Sequence, residues 1–129
     1  MSKQVVNPAG MAPPSGYSYA VVKGGTPVFI SGQVALDAAG KLVGAGDAAA
    51  QTEQVFRNLR SVVEACGGTL DDIVKINVYV TDAAYRPAVA AARLRHFREG
   101  QYPASTYVVV SALAVPQLLV EIEAVAMIG

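Results

Sequence analysis

The chain has 129 residues, a usual length for one domain with a single core. Hydrophobic residues make up 53% of it and charged residues only 16%, and ten Lys and Arg residues balance ten Asp and Glu residues. This composition provides no net charge that would attract nucleic acid or an anionic membrane. One cysteine and one histidine exclude an internal disulfide and a metal site made of cysteines or of several histidines.

Neither a membrane segment nor a secretion signal is predicted. No apolar run approaches the roughly 20 residues that span a bilayer, and the N-terminal stretch lacks the apolar core of a signal peptide. A cytoplasmic location is therefore expected. Residues 1–16, rich in proline, glycine and alanine, are expected to form an extended lead-in to a single domain covering residues 1–129.

The first part of the domain predicts two strands and a helix. Residues 17–33 are typical of two short strands joined by a tight glycine turn at 23–26. Asp47 is a candidate N-cap for a helix that Gly67 ends. The apolar positions of this helix recur at helical spacing, at Val55, Leu59, Val62 and Cys66. Cys66 is expected to be a small buried residue.

A strand and a second helix follow. Residues 73–81 alternate strictly between apolar and polar side chains, which predicts a strand with one face on the core. The residues predicted to face the core are Val74, Ile76, Val78 and Val80. A helix is predicted over residues 86–98, with Ala90, Leu94 and Phe97 turned inward. Its arginines, Arg93, Arg95 and Arg98, are expected to form a solvated face.

Two further strands close the chain, and the resulting order is β-β-α-β-α-β-β. This order predicts an α+β fold with both helices on one face of a mixed sheet. Successive side chains of a strand point to opposite faces, so Val108, Val109 and Val110 give the penultimate strand an apolar character on both sides. A second subunit is therefore expected to cover the face that the helices leave open.

Four motifs in this order identify a resemblance. They are "VFISGQVALDAAGKLVG", "QTEQVFRNLRSVVEACGGTLDDIVKINVYVTD", "YPAST" and "VEIEAVA". Together they resemble the YjgF-like or Rid (reactive intermediate/imine deaminase) family, older members of which were called endoribonucleases. The resemblance implies a fold like chorismate mutase of the bacterial trimeric type. It also implies a homotrimer with a central barrel, and a small-molecule ligand bound in clefts at the subunit interfaces.

The resemblance also implies which residues line the cleft. Tyr17, Ser31 and Gly32 match substrate-binding positions of the family. Glu121 matches a glutamate that positions a water for attack on an imine carbon, which is a general acid/base role. Glu123, two residues further along the strand, is expected to be a polar rim residue. No metal and no organic cofactor are implied.

One position departs from the family motif. Where relatives carry an arginine that binds the substrate carboxylate, this chain has Ser105. Loss of such a bidentate contact predicts carboxylate binding weaker by roughly 2–5 kcal/mol. The standard 2-imino acid deaminase activity is therefore not expected. Ser105 and Thr106 are expected to hydrogen-bond the substrate beside the bulky Tyr107. Arg86 and Arg57 lie on other elements, and the sequence alone does not place either of them in the cleft.

Two functions stay open at this point. The first is an enamine or imine deaminase-type hydrolase with altered specificity. The second is a non-catalytic trimer that binds a small metabolite in order to sense or protect it. RNA cleavage is disfavoured by the neutral charge and by the lack of a basic, aromatic strand face.

Overall fold

A computed structural model describes residues 2–129. The strands are β1 (Gln4–Val6), β2 (Ala20–Val22), β3 (Thr26–Gln33), β4 (Ile73–Val80), β5 (Ala104–Val109) and β6 (Val120–Ile128). The helices are α1 (Ala48–Ala65) and α2 (Arg86–His96), and short 3-10 turns precede β4 (Leu70–Asp72) and α2 (Ala83–Tyr85).

The main sheet has four strands in the order β3-β6-β4-β5. β4 and β5 run parallel, whereas β6 pairs antiparallel with both β3 and β4. Both helices contribute buried side chains to the core on one face of this sheet, as Phe56, Val63 and Val89 illustrate. The predicted α+β fold with two helices and a mixed sheet is thus confirmed.

The N-terminal segment contains a strand that the sequence pattern did not predict. β1 pairs antiparallel with β2 in a separate two-stranded sheet. The glycine turn at residues 23–26 therefore joins two strands of different sheets, because β2 pairs with β1 while β3 pairs with β6. The two strands were predicted correctly, but they do not form a hairpin with each other.

Helix α1 begins and ends where the sequence predicts. The Asp47 side chain accepts a hydrogen bond from the Ala50 N–H at 3.1 Å, which satisfies one of the free donors of the first turn. At the other end Gly67 adopts a positive φ of 89°. The N–H groups of Gly67 and Gly68 then donate to the carbonyls of Glu64 and Val63, which is the Schellman arrangement.

One position of the predicted α1 stripe is wrong. Cys66 is exposed rather than buried, because it is the C-cap residue, where the chain already leaves the helix. The buried residues of the stripe are Val55, Phe56, Leu59 and Val63.

Strand β4 alternates between buried and less buried side chains as predicted, apart from its first two residues. Ile76, Val78 and Val80 are fully buried. The pairing with β6 shifts between Ile73 and Lys75, so one extra residue is accommodated there as a bulge. Ile73 consequently takes the buried position and Val74, predicted to face the core, is only half-buried.

Helix α2 is rotated relative to the prediction. Its core-facing residues are Val89, Ala92 and Arg93, whereas Leu94 is 54% exposed and Ala90 is half-buried. Phe97, directly after the helix, is buried as predicted. Four of its eleven residues are alanines and one is a proline, which leaves several faces of the helix almost equally apolar. Packing against α1 and β5 therefore decides the rotation.

The second face of the sheet is open in a single chain. Phe29 on β3 is 79% exposed and Val108 on β5 is 39% exposed. Large apolar side chains exposed on a sheet face in this way are typical of interaction surfaces. Among residues 2–129 there is no helix long and apolar enough to cross a membrane.

Candidate functional site

The Ser31, Gly32 and Glu121 positions lie together on β3 and β6. The register between these strands shifts between Ile30 and Gln33, so Ser31 and Gly32 occupy a bulge, and Ser31 is exposed. A Cβ added to Gly32 would collide with Oε2 of Glu121. The Glu121 carboxylate therefore lies directly over the Gly32 backbone, and a side chain at position 32 would displace it.

The neighbouring glutamate has a different environment. Glu123 accepts hydrogen bonds from the Tyr79 hydroxyl at 2.6 Å and from Nδ2 of Asn77 at 3.0 Å. The bond to Glu123 raises the pKa of Tyr79, because ionisation would bring two negative charges together. Within residues 2–129 Glu121 has no side-chain hydrogen-bond partner. Both carboxylate oxygens of Glu121 are therefore available to hold a water, whereas Oε1 of Glu123 already accepts from Tyr79 and Asn77.

The Tyr17, Ser105 and Tyr107 positions lie together at the opposite edge of the sheet. Ser105 and Tyr107 are the β5 partners of Ile76 and Val78, so their side chains point toward the helical face. There they line a cavity of about 100 Å³, whose walls include Tyr17, Arg86, Ala90, Arg93, Ser105 and Tyr107. This volume holds roughly three water molecules, which suits one small functional group.

Arg93 is the unusual residue of this cavity. Its side chain is buried, with 9% of the residue exposed, and its Nε atom is buried without a hydrogen-bond partner. Among residues 2–129 no carboxylate forms an ion pair with it. Burial lowers the pKa of the Arg93 guanidinium, and the nearby positive charge of Arg86 lowers it further. An arginine still keeps its charge under these conditions.

Two further donors in the cavity also lack partners. The Ser105 Oγ and the Tyr107 hydroxyl are buried and form no hydrogen bond with residues 2–129. Burial raises the pKa of Tyr107, although Arg86 and Arg93 act in the opposite direction. The phenol is therefore a proton donor at neutral pH. The cavity thus combines two guanidinium groups and several hydroxyls.

The expectation that Arg93 belongs to a solvated helix face is wrong. Arg95 and Arg98 do lie at the surface, where they pair with Glu53 and Asp71. A signal for Arg93 was nevertheless present in the sequence. Val89, Arg93 and Phe97 follow one another at intervals of four residues, which places the arginine on the same helical stripe as two buried apolar residues.

The remaining positions considered from the sequence lie elsewhere. Thr106 points to the open face of the sheet, where its Oγ1 accepts a hydrogen bond from Nζ of Lys75 at 2.8 Å. His96 packs on the Phe56 ring and contacts Oε1 of Glu53, so it is remote from Ser105 chemistry. Arg57 lines a different cavity, together with Gly32. No cluster of three potential metal ligands occurs in the described part of the chain.

The two groups of candidate residues do not meet within one chain. β3 and β5 are the two edge strands of the sheet, and three strand spacings of about 4.8 Å separate them by roughly 14 Å. Glu121 also lies on the open face, since it is the β6 partner of Tyr79. The cavity with Ser105 faces α2 instead.

Comparison with known families gives this geometry a context. The model of the family described as endoribonuclease L-PSP matches residues 8–128, which is nearly the whole chain. The chain belongs to this family, which is the Rid family.

Two solved structures and one curated relative illustrate the match. A Rid family protein from Yersinia pestis, YyfB, described as a protein of unknown function, superimposes with a TM-score of 0.93 at 40% identity. That match covers 99% of this chain and 100% of the other. RidA from an Antarctic Psychrobacter superimposes with a TM-score of 0.74 at 37% identity, covering 96% and 98% of the two chains. The 3-aminoacrylate deaminase RutC of Acinetobacter baylyi is 33% identical over 126 residues, which are 98% of each chain.

These similarities confirm the resemblance to Rid proteins that the motifs indicated. The family model begins at residue 8, but the superposition on the Yersinia protein covers 99% of this chain and so extends over β1, which the motifs did not include. The Rid fold therefore accounts for the whole domain, including the N-terminal strand pair.

Proposed function

We propose that this Rid family member is a cytoplasmic homotrimer that binds a small metabolite in clefts between subunits. In these clefts it hydrolyses an enamine- or imine-type substrate. The observation that carries the proposal is the unpartnered Glu121 carboxylate, held on the Gly32 backbone next to the exposed Ser31. The name of the relative RutC, a 3-aminoacrylate deaminase, supports an enamine as substrate.

The proposed reaction consumes one water and releases ammonia. The enamine carbon first takes up a proton, which gives the iminium ion. Glu121 then accepts a proton from the water as the water oxygen bonds to the iminium carbon, and a neutral tetrahedral carbinolamine forms. Glu121 passes this proton to the nitrogen, and as the C–N bond breaks the hydroxyl gives its own proton to Glu121, so that a ketone and ammonia leave and the last proton returns to the solvent.

The separation of the two residue groups supports a site between subunits. Ser31 and Gly32 on β3 lie three strand spacings, roughly 14 Å, from β5, and Glu121 on β6 lies two spacings, roughly 10 Å, from it and on the opposite face from Ser105. A neighbouring subunit on the open face, where Phe29 is 79% exposed, would bring the two groups of different chains together. A homotrimer gives three equivalent clefts of this kind.

The experiment uses imines made in solution. A dehydratase dependent on pyridoxal phosphate converts threonine into 2-aminocrotonate, which tautomerises to 2-iminobutanoate. Semicarbazide competes with water for the imine carbon, so a deaminase lowers the rate of semicarbazone formation and raises the release of 2-oxobutanoate. We expect the wild-type protein to divert at least one of two imines, 2-iminobutanoate or its uncharged carboxamide counterpart, and Glu121→Gln to divert neither. The same assay with an uncharged carboxamide imine tests substrates without a carboxylate.

A second function has one specific observation in its favour. The cavity with Arg93 has unused donors but no carboxylate of its own, which also suits a binding protein that carries out no chemistry. Diversion of neither imine, in the presence of measurable ligand binding, would contradict the enzyme and support the non-catalytic trimer.

A further inference from the structure

Because Ser105 stands where the family motif has an arginine, β5 contributes no charge to the Ser105 cavity. Helix α2 nevertheless supplies positive charge to it. Arg93 from α2 is nine-tenths buried beside Ser105, and Arg86 from the first turn of the same helix lines the same walls. Two like charges in a small space raise each other's energy, as the lowered pKa of Arg93 also indicates. An anion in the cavity would relieve both the repulsion and the desolvation.

The Arg93 guanidinium lies beneath the N-terminal segment. Gly16, with a positive φ of 73°, lies over the guanidinium, and a Cβ there would be 3.2 Å from both Nε and Nη2. The N-terminal segment thus holds the side chain down on the β5 side. Because a planar guanidinium presents its N–H groups in a fixed fork, an oriented arginine suits bidentate binding of a carboxylate.

We propose that Arg93, assisted by Arg86, binds the carboxylate of the substrate in this cavity. Arg93 thereby takes over the role of the family arginine that is replaced by Ser105 in this chain. The Ser105 and Tyr107 hydroxyls, buried and unpartnered, donate further hydrogen bonds to the same carboxylate. The inference rests on the proposed function for the reaction itself, but the binding step stands independently of it. The substrate class is therefore a small enamine or imine acid, held from α2 instead of from β5.

The size of the cavity favours a carboxylate over a larger anion. About 100 Å³ accommodates a planar carboxylate and one adjoining carbon, so the cavity holds only a small anionic group. The donors also match, since two guanidinium groups and two hydroxyls surround one small group. A carboxamide of the same shape would leave the guanidinium charges without a counter-charge.

The test measures binding without catalysis. The probes are 2-oxobutanoate, 2-oxobutanamide and inorganic phosphate, and binding is followed by calorimetry and by the shift in unfolding temperature. We expect the wild type to bind 2-oxobutanoate in preference to the other two. Arg93→Gln is expected to weaken this binding about 30-fold or more, because it removes one partner of a buried charged pair. Arg60→Gln is the matched control, since Arg60 is an exposed arginine on α1 that lines another cavity.

A second variant distinguishes a loss of ligand binding from a loss of folding. Arg93→Met removes the buried charge and keeps an apolar side chain, so it is expected to fold with an unfolding temperature at or above that of the wild type. It is also expected to lose the response to 2-oxobutanoate. A guanidinium whose role is a structural ion pair would show the opposite, namely a lower unfolding temperature for Arg93→Met.

Four results would overturn the inference. Equal binding of 2-oxobutanoate and 2-oxobutanamide would show that the carboxylate is not recognised, and a preference for phosphate would show another anion. Unchanged 2-oxobutanoate binding in Arg93→Gln would exclude the guanidinium. Diversion of only the uncharged carboxamide imine would leave the proposed function intact while contradicting Arg93. Normal binding of 2-oxobutanoate without diversion of either imine would leave the Arg93 inference intact while contradicting the proposed function.

Discussion

Replacing Glu121 by glutamine is expected to lower kcat/KM for the imine substrate by roughly 10²–10⁴-fold. The glutamine amide keeps the size of the side chain but cannot accept a proton from water. The water is then a poorer nucleophile, and the carbinolamine nitrogen loses its proton donor. Since Glu121 is only half-buried and glutamine has the same shape, the substitution is expected to leave the fold unchanged.

The matched control for this variant lies two residues away on the same strand. Glu123→Gln removes a carboxylate from the same face, but that carboxylate serves Tyr79 and Asn77. Its kcat/KM is expected to stay within about threefold of the wild type. An equal loss in both variants, at an unchanged sedimentation mass, would contradict the assignment of the proton transfer to Glu121.

Replacing Phe56 by alanine is expected to lower the free energy of unfolding by about 3–5 kcal/mol. Phe56 is fully buried on α1. Its ring stacks on His96 with a centroid distance of 5.1 Å and meets the Phe97 ring edge-on at 5.7 Å. It therefore connects α1 to the C-terminal end of α2, the helix that carries both arginines of the cavity.

Urea unfolding at equal protein concentrations measures this effect, with Phe56→Leu as the variant that keeps most of the apolar volume. Phe56→Leu is expected to lose less stability than Phe56→Ala, because the cavity that it leaves is smaller. A loss below about 1 kcal/mol for Phe56→Ala would show that α2 does not depend on this ring.

Much of the fold could be predicted because single residues restrict the chain strongly. Asp47 and Gly67 bound α1, since one accepts a free N–H and the other adopts a positive φ. The alternation of β4 likewise predicts its buried face. The bulge that displaces Val74 could not be predicted, because it depends on the register with β6.

Candidate residues on β3 and β6 could be named from the sequence, whereas Arg93 on α2 could not. The motif positions Ser31, Gly32 and Glu121 are separated in the chain, and the pairing of β3 with β6 brings them together. Their roles stay a prediction from the family resemblance. Arg93 was missed because α2 is rich in alanine, which makes several helix rotations similar in apolar character. Only the packing of the whole domain places this guanidinium beside Ser105.

A subunit-mixing assay tests most directly whether the Glu121 and Arg93 halves of the site come from different chains. Glu121→Gln and Arg93→Gln, each expected to be impaired in the imine assay, are unfolded together at equal amounts, refolded, and checked for mixed trimers by native mass measurement. Random assembly gives about one cleft in four with both native halves, so about one quarter of the wild-type activity is expected to return. Mixed trimers that regain no activity would contradict a site shared between subunits.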